Sequence, residues 1–130
     1  MFNEIKLTNS TVPTTEPVKI AVSEGTKIIY GCALVKDENE RLVPCPDGAC
    51  PEYVSVSSEA DSYGMALVCP VVGNAVYCVT YCSENPTVGQ RVSVLCKEGV
   101  AVSVAPDTVG AGIITDLDER VGYVYVKFKV

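Results

Sequence analysis

Seven cysteines, at positions 32, 45, 50, 69, 78, 82 and 96, are the side chains of this sequence best equipped for chemistry. A thiolate can be a nucleophile, a metal ligand or half of a disulfide. Histidine is absent, so there is no Ser-His-Asp triad, no Cys-His pair and no imidazole ligand. Spacing narrows the choice further. Cys78 and Cys82 fall in Ala75 to Cys82, which reads as a strand. There they share a face with Val76 and Thr80, while Tyr77, Val79 and Tyr81 take the other. Two residues four apart on a strand lie about 13 Å apart, too far to chelate one ion together. Cys32, Cys69 and Cys96 sit inside the apolar runs Gly31-Cys32-Ala33-Leu34, Leu67-Val68-Cys69 and Val94-Leu95-Cys96, where free cysteine packs as a small hydrophobe. Cys45 and Cys50 flank Pro46-Asp47-Gly48-Ala49 and are the pair best placed for a disulfide. The reading is core thiols in the reduced state, with no metal site.

The carboxylates point the same way. Asp116, Asp118 and Glu119 are three acids in four residues, but they lack the glycine and the later glutamate of a calcium loop. They read as a solvated turn, and so do Asp37, Glu38 and Glu40. The glycines are spread along turns rather than gathered in a phosphate-binding loop, and no nucleophile elbow occurs. Sixteen acidic against ten basic residues give a net charge of −6, the wrong sign for a face that displaces counterions from a nucleic acid. Seven tyrosines occur without tryptophan. Tyr30, Tyr123 and Tyr125 lie in strand-like runs and read as core or interface. No catalytic residue, cofactor or direct nucleic-acid partner is expected.

The elements that carry these residues are strands. Val18 to Val22 and Tyr53 to Val56 alternate in polarity, and Lys27 to Val35 and Val121 to Val130 are rich in β-formers. Met65–Val72 and Ala75–Cys82 flank Gly73-Asn74, a two-residue hairpin signal. Arg91–Cys96 and Val100–Val104 flank the loop Lys97-Glu98-Gly99. No segment holds an apolar period of 3.6 over three turns. About eight to ten short strands, with turn signals every 8–12 residues, read as a small all-β barrel or sandwich. Residues 17–130 form that single β domain. Residues 1–16, rich in Thr, Ser and Asn, read as an extended N-terminal arm, whose large apolar residues are Phe2, Ile5 and Leu7. No basic-then-apolar leader opens the chain and no apolar run is long enough to span a membrane, so synthesis in the cytoplasm is expected.

A faint internal echo runs through the strands. Gly25-Thr26-Lys27-Ile28 leads to Cys32, and Gly89-Gln90-Arg91-Val92 leads to Cys96 at the same distance. A second glycine-led stretch follows each, Gly64 to Val68 and Gly110 to Ile114. This reads as one β-unit used twice.

One resemblance gathers these features. The runs Val18-Lys19-Ile20-Ala21-Val22, Gly31-Cys32-Ala33-Leu34-Val35, Ser62-Tyr63-Gly64-Met65-Ala66-Leu67 and Val88-Gly89-Gln90-Arg91-Val92-Ser93-Val94, with Gly110 to Ile114 and Val121 to Val130, resemble the small capsid decoration, or cement, proteins of tailed bacteriophages. The resemblance covers about residues 18–130. The seven cysteines and the Cys45 to Pro51 insertion depart from it. It implies a β-barrel on the outer surface of an assembled head, often a trimer, that binds the major capsid protein and bridges capsomers. Phe2, Ile5 and Leu7 are then the candidate capsid-contact arm. The alternative is a secreted or surface β-domain that binds a ligand or protein and is held by disulfides. The two readings differ in their thiols. Protein denatured without reductant is expected to titrate seven free thiols; five or fewer would favour the disulfide-bonded module.

Overall fold

The computed structural model describes residues 5–7, 16–73, 75–97 and 100–129. Among them are eleven strands: β1 (Ile5–Leu7), β2 (Val18–Ala21), β3 (Ala33–Lys36), β4 (Leu42–Pro44), β5 (Tyr53–Ser55), β6 (Met65–Pro70), β7 (Ala75–Thr80), β8 (Arg91–Lys97), β9 (Val100–Pro106), β10 (Gly112–Leu117) and β11 (Tyr123–Phe128). The fold is all-β, with no helix among the described residues. Two antiparallel sheets pack together as a small sandwich, one ordered β1-β7-β11-β10-β8-β9 and the other β2-β6-β5-β3-β4.

Without β1, the two orders are the same order. Each module of five consecutive strands, β2–β6 or β7–β11, places its first strand beside its fifth, then its fourth, second and third. Each module also curls until its first and third strands meet in one parallel bridge, Val22 with Leu42 and Tyr81 with Val104. The hydrogen bonds repeat in register. The Val22 amide donates to the Gly64 carbonyl at 2.9 Å, and the Tyr81 amide to Gly122 at 2.8 Å. Gly31 donates to Ser55 as Gly89 does to Ile114, and Cys45 donates to Ala33 as Asp107 does to Arg91. The ladder pairs Leu34 with Pro44 in one module and Val92 with Pro106 in the other.

The β-unit expected from the sequence is therefore used twice, but with other glycines in register. Gly31 matches Gly89, and Gly64 matches Gly122. Both pairs have φ between +75° and +91°, a range glycine enters freely. Spacing to the next cysteine misled because Cys32 follows Gly31 directly, whereas Cys96 lies seven residues past Gly89.

Two local expectations fail. Met65–Val72 and Ala75–Cys82 do not form a hairpin across Gly73-Asn74, since β6 and β7 belong to different sheets. Both sides of β6 are already taken by β2 and β5, and β7 lies between β1 and β11, so the connection must pass from one module to the other. Lys27 to Tyr30 is not strand. Gly31 at φ +77° turns the chain there, and Ile28 packs with Leu34, Leu42, Ala66 and Val68.

That packing defines two inner faces. In the first module Ile20, Val22, Leu34, Leu42, Ala66 and Val68 point inward and are closed over by the loop that carries Ile28 and Cys32. The matching residues Val79, Tyr81, Val92, Val104, Val124 and Val126 line the second module. Its cover is different: Ala33, Cys45, Val54 and Cys69, from the outer face of the first module, join the same cluster. Burial of side chains this size contributes about 1.5–3 kcal/mol each, so both the modules and their joint rest on apolar contact.

Close packing around β8 leaves no room beside Gly110. A Cβ there would lie 2.0 Å from the Val92 carbonyl oxygen, a clash with backbone that only a strand shift relieves. Gly110→Ala is expected to cost about 1–3 kcal/mol, read as a lower urea midpoint at unchanged slope.

Candidate functional site

The densest constellation of charged and aromatic groups lies where the first module's loop meets the β10–β11 turn of the second. Leu117 ends β10 and Tyr123 opens β11, so Asp118, Glu119 and Arg120 are confined to a short turn. Arg120 grips Asp118 with both ends of its guanidinium, Nε to Oδ1 at 2.9 Å and an Nη to Oδ2 at 3.1 Å. The Arg120 backbone amide also donates to Oδ1, at 2.8 Å. The guanidinium carbon stands 4.6 Å from the centre of the Tyr123 ring and 5.3 Å from that of Tyr30. The two rings are tilted against each other with centroids 5.7 Å apart. Tyr30 belongs to the first module and the others to the second, so the cation clasps one module to the other. A cation over an aromatic face contributes about 0.5–1 kcal/mol where water reaches it.

Beneath the clasp is Cys78. It is buried on β7, and an Arg120 Nη donates to its sulfur at 3.3 Å. The thiol in turn faces Asp118 Oδ2 at 3.8 Å. Arg120 holds the Asp118 carboxyl well below the usual carboxylate range, chiefly through their hydrogen bonds, and the Arg120 guanidinium is raised above its own by the same contact. Burial, together with a hydrogen bond to Asp118, pushes the Tyr125 hydroxyl up to about 12. The Asp118 side chain is only 9% exposed while that of Arg120 is 52% exposed, so water screens the pair from one side. The Asp118 carboxylate and the Arg120 guanidinium are committed to each other, while Glu119 in the same turn is exposed.

The structure separates the other expected groups. Cys82 lies outside β7 and is exposed, because the chain leaves the strand after the Tyr81 bridge. It therefore does not share a strand face with Cys78. Asp116 accepts from the Leu117 amide at 2.9 Å, whereas Asp118 turns to Arg120. Among the described residues no group of three or more potential ligands gathers around a metal position. Cys45 is buried and its thiol approaches the carbonyls of Pro46 and Ala49, both at 3.5 Å; Cys50 is half-buried. Neither is joined in a disulfide, nor are Cys32, Cys69, Cys78 and Cys82. Burial pushes the thiols of Cys32 and Cys50 up. Of the expected arm contacts, Ile5 and Leu7 lie in β1, opposite Tyr77 and Ala75, and Phe2 lies outside the described residues. Tyr30 is in a turn rather than a strand, and Arg120 was not singled out by its sequence context. The available signal was Asp118-x-Arg120 in a turn followed by alternating Tyr123 and Tyr125.

No family model, curated protein or solved structure matches this chain.

The clasp gives stability a defined pH dependence. Asp118 has a folded pKa below its unfolded one. Its contribution is therefore complete above about pH 4–5 and is lost as pH falls further. Tyr125 is shifted upward from 10.0 to about 12, so its contribution is complete below the unfolded value and is lost as pH rises through that interval. Denaturation midpoints measured against pH are expected to fall at both ends in the parent. Asp118→Asn should flatten the acid limb and Tyr125→Phe the alkaline one.

Proposed function

We propose that this chain is a structural virion protein that binds the outside of an assembled phage capsid and stabilises it by bridging capsomers. The observation that carries the reading is the position of the N-terminal strand. β1 is three residues long and pairs with β7 alone, at the outer edge of the six-stranded sheet. A short terminal strand on a sheet edge offers a neighbouring protein backbone groups to pair with. Ile5 and Leu7, with Phe2 before them, remain the candidate contacts to the major capsid protein. The two-module body supports the same role. Val121, in the β10–β11 turn, is 99% exposed and Leu117 beside it is exposed too. Together they line one side of an open groove of about 880 Å³ against the loop 82–86.

The action is mechanical rather than catalytic. Many copies, grouped as trimers and each touching adjacent capsomers, hold a shell together through multivalency without any single strong contact. A net charge of −6 keeps such a coat soluble and clear of the packaged genome. The test is co-sedimentation of purified protein with shells of its source, with copy number from quantitative mass spectrometry. Saturable binding at many copies per particle is expected, lost when residues 1–7 are removed. No binding, or only a handful of copies, would sink the proposal.

A further inference from the structure

We propose that the outer face of the second module is a contact between copies of this chain, and that it takes the acidic β3–β4 turn of a neighbour. The argument starts from the repeat. In the first module the outer face, with Ala33, Val54 and Cys69, is buried against the second module. The register places Arg91, Ile113 and Lys127 at the matching positions of the second module, and nothing described covers them. There the face opens as a groove of about 480 Å³ in which Arg91, Lys127 and Lys129 surround Ile113. Ile113 is 37% exposed. Among the described residues no carboxylate side chain lines this groove, and none of the three cations forms an ion pair.

Charge selects the occupant. Residues 16–72 carry nine acidic and four basic side chains, whereas residues 73–130 carry six and five. The first module therefore holds a net −5 and the second a net −1. The negative charge of the chain is concentrated on the half without the groove. Within that half, the turn joining β3 to β4 projects Glu38 and Glu40, both exposed. Asp37 shapes the turn by accepting from the Asn39 and Arg41 amides at 2.8 and 3.0 Å. Among the described residues Glu40 pairs only with Lys36, at 4.0 Å, and its side chain stays mostly in solvent. A nucleic acid is the poorer occupant, since net negative charge repels a polyanion before the groove is reached. The contact is heterologous, groove to turn, so repetition closes a ring or extends a chain.

This inference rests on reading the protein as one that works in many copies. It is tested with the chain alone, so its failure is distinct from a failure to bind capsids. The experiment is sedimentation velocity over a concentration series at about 0.05 M and 0.5 M salt. It uses the parent, a Lys127→Glu/Lys129→Glu variant and a Glu38→Lys/Glu40→Lys variant, each with its thermal unfolding checked. The parent is expected to associate at low salt and to dissociate at high salt. Each variant alone should associate roughly tenfold more weakly or not at all. An equimolar mixture of the two should regain association, because each reversed surface then meets its complement. A parent that stays monomeric at low salt overturns the proposal, and so do variants that associate like the parent or a mixture that does not recover. A parent that shifts only on addition of single-stranded DNA would give the groove to nucleic acid and overturn it as well.

Discussion

Everything in this fold is arranged around the close approach of Gly31 to the backbone of β7. Its amide donates to Ser55 within the first module, and its carbonyl accepts from the Thr80 amide of the second at 3.1 Å. A side chain at this position would bring its Cβ within 3.2–3.3 Å of Thr80 N, Cys78 O and Val79 Cα. The backbone is also at φ +77°, so two independent reasons require glycine here. The matching Gly89 shares the positive φ and the intramodule hydrogen bond but has nothing within 4 Å of a built Cβ. Gly31 thus keeps the turn common to both modules and adds the joint between them. Tyr30 is carried to Tyr123 and Arg120 by that joint, and the loop before it is carried over the first module's inner face. Ser55 secures the same loop from below, its hydroxyl donating to the Ile29 carbonyl and accepting from the Cys32 amide.

The two modules solve one problem differently. A curled five-stranded sheet must cover its inner face with something apolar. The first module uses its own loop, while the second borrows the outer face of the first. This explains why matching positions diverge in polarity while the hydrogen bonds stay in register. Ala33, Val54 and Cys69 are buried where Arg91, Ile113 and Lys127 stand in the other module. A face that meets protein in one module faces outward in the other, and the side chains follow the environment rather than the strand order.

That divergence also sets what could be read in advance. The all-β class, most strands and the turns between them were legible, because period-two alternation and glycine positions are local properties. The assignment of strands to sheets was not. Gly73-Asn74 carries a good hairpin signal, but pairing depends on which edges are already occupied, and that is a property of the whole molecule. Lys27 to Tyr30 has strand-forming residues, yet the inner face needs a cover more than the sheet needs another strand. The repeat was visible only as glycine spacing, with the wrong partners, since few side chains survive at matched positions beyond Gly31/Gly89, Pro44/Pro106, Gly64/Gly122 and Val68/Val126.

The candidate site was hidden for a related reason. Asp118 and Arg120 look like any solvated turn, and Tyr30 is eighty-eight residues before Asp118 in the chain. Only the packing of one module on the other brings them within reach. The clasp therefore reports the joint: its aromatic, cationic and acidic members come from both modules, and Cys78 beneath it lies on the strand that Gly31 touches. Because Arg120 is anchored by a nearly buried Asp118 yet stays open to water on its outer side, the turn presents Val121 to solvent in a fixed position. The interaction that locks the modules together therefore also sets the position of an exposed turn at this edge of the protein.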